Sequence, residues 1–291
     1  MRPEALKTRV FLDGADPEET KRVIKALGFL DGQTTNPSLL AKNPEAQAHK
    51  VEGNKFSATA IYQFYKELCQ KLSTMMPNGS ISIEVYADET TTTEAMLEQA
   101  REFDTWIPNA HIKLPTTAAG LEAARALTEE GRRVNMTLVF TQSQAAAVYA
   151  ATRGAARGAV FLSPFIGRLD DKGENGMDLI ANILKMYEAG DGHVEVLTAS
   201  VRSMDHFLRA LAIGSDIITA PASILLQWGE AGLPIPGPGY PYEPAGLAPI
   251  AYDKGLALDG PWTIYNIGHP LTDSGMAKFS ADWNSLIDMK A

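Results

Sequence analysis

A single cysteine, Cys69, stands in a chain of 291 residues, so no internal disulfide can staple the fold. One unpaired thiol agrees with a reducing compartment. The five histidines, His49, His111, His193, His206 and His269, have no ligand-like spacing to one another or to the cysteine, which argues against a zinc site. Basic residues are outnumbered. Lys and Arg total 26 against 35 Asp and Glu, and the net charge of −9 argues against a nucleic-acid or anionic-membrane partner while leaving room for a local basic pocket. No apolar run approaches the roughly 20 residues that cross a bilayer. The stretch Met1-Arg2-Pro3-Glu4-Ala5-Leu6-Lys7 has no apolar signal core, and a cytoplasmic location is the expectation. Apolar material is plentiful. Hydrophobic residues make up 45% and charged residues 21%, enough for a large core in one α/β domain or two smaller ones, with no linker of disordered composition.

From Arg9 onward one rhythm repeats: a short apolar run, a turn marked by Gly or Pro, then a helical segment. The first run is Arg9 to Gly14, after which Asp16-Pro17-Glu18-Glu19 opens a helix with an N-cap, a proline at the first helical position and an acid in the first turn; Gly28 ends it. Phe29 to Gly32 begins the second strand, and Pro37 begins another helix. The polar stretch from there to Ser57 reads as loop, and Ala58 to Ser73 as helix. Further strands are expected at Ser80 to Ala87, Ala110 to Pro115, Arg133 to Val139, Ala159 to Phe165, Val194 to Ser200 and Asp216 to Pro221. Eight strand-helix units within about 250 residues indicate a (β/α)₈ TIM barrel over residues 1–232, with a doubly wound open sheet as its rival. The tail, residues 233–291, is Pro- and Gly-rich to Pro249. It then offers a final helix over Leu271 to Met289 bearing Trp283, read as an extension packed on the same domain.

One lysine breaks the apolar pattern. In Ala110-His111-Ile112-Lys113-Leu114-Pro115, Lys113 alternates with Ile112 and Leu114 at the period of a strand, in a parallel sheet whose strands are normally apolar on both faces. A lysine taken out of water without a partner costs several kcal/mol unless it gives up its proton or pairs with an acid. A neutral amine condenses with carbonyl compounds to give Schiff bases. The neighbouring strands repeat the pattern: Asp13, Glu84, Asn135 and Thr137 alternate with apolar residues and fall near C-terminal strand ends, where barrels carry their catalytic groups. Together with Lys113 they are expected to line a single cavity at that end. Two later strands end in a serine and an arginine, Ser163 with Arg168 and Ser200 with Arg202. An arginine fork suits phosphate oxygens, so the pair reads as an anion pocket; Asp170 and Asp205 are available instead for surface ion pairs.

The set Thr34-Thr35-Asn36-Pro37-Ser38, Glu84, Ile112-Lys113, Asn135-Met136-Thr137, Ser163-Pro164-Phe165, Gly167-Arg168 and Ser200-Val201-Arg202 resembles the transaldolase family, in order, over about Arg9 to Trp228. The resemblance implies a class I enzyme of carbohydrate metabolism, in the pentose phosphate pathway, that uses neither cofactor nor metal. It would move a dihydroxyacetone unit from sedoheptulose 7-phosphate or fructose 6-phosphate to an aldose phosphate. Lys113 would form the Schiff base, Asp13 would act as acid and base at the C4 hydroxyl, and Glu84 and Thr137 would hold the catalytic water. Asn36, Thr35, Asn135, Ser163, Phe165 and Ser200 would contact substrate, and Arg168 and Arg202 its phosphate. A homo-oligomer is expected, with small sugar phosphates as the only partners. Related fructose-6-phosphate aldolases carry Gln at Glu84 and Tyr at Phe165, so an aldolase releasing free dihydroxyacetone is the nearest alternative; a transaldolase for another anionic ketose, such as a sulfonated one, and a catalytically silent sugar-phosphate-binding barrel are the others. Gly167-Arg168-Leu169-Asp170-Asp171 is closer to the short-chain branch, and the tail from Leu233 matches none of these motifs.

Overall fold

The computed structural model describes residues 2–51, 55–244 and 246–288. The expected segment ends at Met1 and Ala291 and the expected helix end at Met289 lie outside the described residues. Eight parallel strands close into a barrel in sequence order: β1 (Arg9–Asp13), β2 (Gly32–Thr34), β3 (Ser80–Glu84), β4 (Ala110–Pro115), β5 (Val134–Val139), β6 (Val160–Pro164), β7 (Val194–Thr198) and β8 (Ile217–Ala220), with β8 paired to β1. Helices alternate with the strands, so the chain is a (β/α)₈ TIM barrel with helical structure following it. The strand alternation is the cause. Val10, Leu12, Ile81, Ile83, Ile112, Leu114, Val134 and Met136 are all fully buried, and their partners at the opposite parity fill the barrel.

Helix boundaries follow local chemistry. Asp16 caps Pro17–Leu27 by accepting from the Glu18 N–H, and Gly28 ends that helix at φ 77, a left-handed position glycine takes without strain. Asn36 caps Pro37–Lys42 in the same way by accepting from Leu39. The stretch after it is not all loop. Asn43 Oδ1 accepts from the Glu45 and Ala46 N–H groups and nucleates a helix over Pro44–Val51, a capping signal outweighed in the sequence by the polar composition. Gly32 has a packing role: a Cβ there would stand 2.6 Å from Cζ of Phe11, so the ring fills the barrel only because β2 offers no side chain at that point.

The tail wraps the barrel and returns to it. Residues 233–244 and 246–269 run over the outer helices, with Gln142 donating to Asp253 O and Arg153 to Leu258 O. The helix Pro270–Asn284 then crosses the C-terminal end of the strands. Thr272 Oγ1 donates to Leu138 O at 2.9 Å, and Trp283 packs against Tyr62 and Tyr65 of the helix Ala58–Met75. Phe56 and Ile287 form a short parallel bridge. Among the described residues no helix is long and apolar enough to cross a membrane.

Candidate active site

The C-terminal end of the barrel opens into a cavity of about 310 Å³. Lys113 stands in it on β4, 3% exposed, with Nζ 2.9 Å from Glu84 Oε2 and 3.2 Å from the Thr35 carbonyl. The register that aligns Glu84 with Lys113 across β3 and β4 puts amine and carboxyl side by side. The lysine is therefore paired rather than solitary. Burial pushes the Glu84 carboxyl above its ordinary value, opposed by the Lys113 and Arg168 charges. Asp13, at the end of β1, also lines the cavity and is likewise raised by burial, against the pull of Lys113 and a 2.8 Å hydrogen bond from Thr34 Oγ1. A carboxyl that holds its proton less reluctantly than in water can both donate and accept one.

The expected residues divide into two groups. Asp13, Asn36, Lys113, Ser163, Phe165, Arg168, Ser200 and Arg202 line the cavity together. Glu84, Thr35, Asn135 and Thr137 do not. Glu84 meets the site through Lys113 and borders a smaller space beside it, with Phe279 shared between the two. Thr35 turns its hydroxyl toward Tyr65 and the Ser82 carbonyl, leaving only its own carbonyl on the lysine. Asn135 is fully buried, donating to Ser82 Oγ and accepting from Ser163 Oγ at 2.7 Å, so it props Ser163 from behind. Thr137 Oγ1 is buried with no hydrogen-bond partner. Of the five strand residues expected in a single cavity, Asp13 and Lys113 line it, whereas Glu84 stands behind the Lys113 amine, Asn135 behind Ser163, and Thr137 outside the lining.

Each arginine rests on a glycine. A Cβ at Gly167 would meet Arg202 Nε at 2.5 Å, and one at Gly275 would meet Arg168 Nη1 at 2.5 Å. Arg202 pairs with Asp171, not with Asp170 or Asp205; Asp170 instead meets His206 at 2.8 Å and Asp205 accepts from Tyr240. Arg168 lies 5.3 Å from the ring centroids of both Phe165 and Phe279 and is lowered by burial, though an arginine stays charged. Ser200 reaches the cavity from a left-handed backbone, φ 59.

Sequence reasoning missed Lys42, Thr219, Lys278 and Phe279 in the lining. Thr219 Oγ1 lies 2.6 Å from Thr34 Oγ1, and its place on the eighth strand was a readable signal. Lys278 and Phe279 come from the tail, where no strand rhythm points at a barrel. Lys278 contacts Asp282, which in turn accepts from Ser38.

A sequence model of the family described as transaldolase/fructose-6-phosphate aldolase matches residues 10–290. A protein of Dehalococcoides mccartyi named "Probable transaldolase" is 36% identical over 278 residues, 96% of this chain and 99% of its own length. Proteins with the same name from Brucella ovis and Cereibacter sphaeroides are 38% and 34% identical over 275 residues, each match spanning 94% of this chain and 96% and 95% of theirs. The matches run on through the tail, which the motifs had left unassigned.

Proposed function

The chain belongs to the transaldolase/fructose-6-phosphate aldolase family, and we propose that it is a transaldolase that carries a dihydroxyacetone unit from a ketose phosphate to an aldose phosphate on Lys113. The observation that supports this most is the buried amine of Lys113 held 2.9 Å from Glu84 beside an open, cation-lined cavity. Glu84 takes the ammonium proton, because burial makes its carboxylate form costly. The freed amine attacks the ketone carbon, and Glu84 returns the proton to the carbinolamine hydroxyl, which leaves as water and gives the protonated imine; the unpartnered Thr137 hydroxyl is the group proposed to receive that water. The protonated imine draws electrons from the C3–C4 bond while Asp13 takes the C4 hydroxyl proton, releasing an aldose and leaving an enamine on Lys113. An incoming aldehyde reverses these steps.

The phosphate sits at the far end of a linear substrate, so cations there fix position rather than touch the breaking bond. Arg168 and Arg202 supply that anchor, and arginines read anions by charge and shape, so sedoheptulose 7-phosphate and fructose 6-phosphate are the donors tested first. The experiment is borohydride reduction in the presence of either ketose phosphate, followed by peptide mass mapping. An adduct on Lys113 is expected. An adduct elsewhere overturns the assignment, and none with any ketose phosphate leaves a sugar-phosphate-binding barrel without catalysis.

A further inference from the structure

Arg168 is held by groups that fix it without neutralising it. Among the described residues it makes neither an ion pair nor a side-chain hydrogen bond, whereas Arg202 has Asp171. Ordering a long guanidinium side chain costs rotamer freedom, so something must hold it. Phe165, at the end of β6, supplies one ring face. The tail helix supplies the rest: Phe279 places a second ring 5.3 Å from the guanidinium carbon, and Gly275, one turn earlier on the same face, lets the helix backbone lie where a Cβ would stand 2.5 Å from Nη1 and 2.6 Å from Leu138 Cδ2. The helix is locked at that distance. Thr272 bonds the Leu138 carbonyl, and Leu138 itself has φ 60 where the register of β5 shifts against β6.

We propose that Gly275 and Phe279 are positioning residues for Arg168, and that through them the tail helix sets the preference of the site for anionic over neutral sugars. Ring faces attract a cation while leaving all five N–H donors for the ligand, which a carboxylate partner would occupy. The inference rests on the reading of Arg168 as the anion anchor. A methyl group at Gly275 meets the flexible end of the Arg168 guanidinium and the methyl groups of Leu138, side-chain atoms that must shift before the backbone does, so substrate binding is expected to respond ahead of folding.

The test is a double-mutant cycle read on two donors, fructose 6-phosphate and dihydroxyacetone. Gly275→Ala is expected to raise KM for fructose 6-phosphate about threefold to thirtyfold, with a smaller change in kcat and less than about a twofold change for dihydroxyacetone. Phe279→Leu should raise KM for fructose 6-phosphate likewise and, because its ring also lies 5.9 Å from Lys113 Nζ, should lower kcat for both donors alike; Phe279→Tyr, which keeps the ring, restores most of both losses. In an Arg168→Ala background neither substitution should add to the rise in KM for the phosphorylated donor. Additive losses, with Arg168→Ala itself selective for the phosphorylated donor, overturn the positioning role and leave the anchor standing. An Arg168→Ala variant that weakens both donors equally overturns the anchor and the inference together. If circular dichroism shows Gly275→Ala unfolded, Phe279→Leu carries the cycle alone.

Discussion

The two ends of the barrel interior each hold an ion pair, and they are put to opposite uses. At the N-terminal end Arg9 meets Glu195 at 2.6 Å, with its guanidinium 5.0 Å from the Phe161 ring centroid. Phe161 stacks on His111 at 3.9 Å and meets Phe11 edge-on. His111 is bonded at both nitrogens, to Ser80 Oγ and the Gly158 carbonyl. Every polar atom named there has a partner, and rings fill the space between. At the C-terminal end Lys113 and Glu84 are paired too, but among the described residues Thr137 Oγ1 has no hydrogen-bond partner and Arg168 forms no ion pair, feeling Glu84 only at longer range; two carboxyls are raised by burial, and a cavity stands open beside them. A charged pair inside a fold is therefore no sign of function by itself. What marks the upper pair is the unmet bonding capacity around it.

Breaking the upper pair gives the largest expected effect. Lys113→Met should abolish turnover and borohydride trapping together. Removing one partner of a buried pair costs about 3–5 kcal/mol when the other stays charged, but Glu84, already raised by burial, can take a proton instead. A raised carboxyl contributes stability that is present below its ordinary value and lost as pH rises through the folded value. The melting temperature of the variant should therefore fall relative to wild type as pH increases from 5 to 8, and a flat difference would show that Glu84 is not held in a costly environment.

Asp13→Asn separates activity from stability at the same end. It should lower kcat by about 10²–10⁴-fold, while the amide keeps the hydrogen bond from Thr34 and removes a carboxylate that burial penalises. By the same sign, the variant should melt at or above the wild-type temperature at pH 8; a clear loss there would mean Asp13 is needed for folding. Arg202→Ala should lower kcat/KM for phosphorylated donors about tenfold to a few hundredfold, since a charge-assisted hydrogen bond is worth about 1.5–3 kcal/mol. The same substitution should spare unphosphorylated ketoses, and equal losses for both would return the arginine to a structural role.

The lower end should answer only in stability. Glu195→Gln is expected to cost about 1 kcal/mol, the pair being partly exposed, or about 2–4 °C in Tm, with kcat within about twofold. His111 reports pH with the opposite sign to the carboxyls. Burial drives it down from 6.5 to about 3, so below pH 6.5 the unfolded chain binds a proton that the native one refuses. Stability is lost as pH falls, by about 2 kcal/mol at pH 5. His111→Asn should lose less than wild type between pH 7 and pH 5. A change in kcat from either variant would blur the division between the two ends.

The barrel was legible because its alternation is local: Val10 with Leu12 and Ile112 with Leu114 show the strand period within three residues. Lys113, Asp13 and the two arginines were legible for the same reason, as polar residues at strand ends. Alternation could not rank them against Arg9 and Glu195, which sit at equivalent interior positions near the start of their strands and were passed over. The depth of Asn135 and Thr137 depends on which side chains lie above them, a property of packing. The tail was opaque because Gly275 and Phe279 act across a sequence separation of more than a hundred residues from the groups they touch. A glycine inside a helix was the one trace they left.

The order of the elements also fixes the order of assembly. β8 ends at Ala220, whereas the helix that brings Phe279 to the lysine begins at Pro270. In a chain made from its N-terminus the seam between β1 and β8 can close before that helix has left the ribosome. The amine and its acids are thus brought together first and covered afterwards, so the tail's side of the cavity is the last part of it to be built.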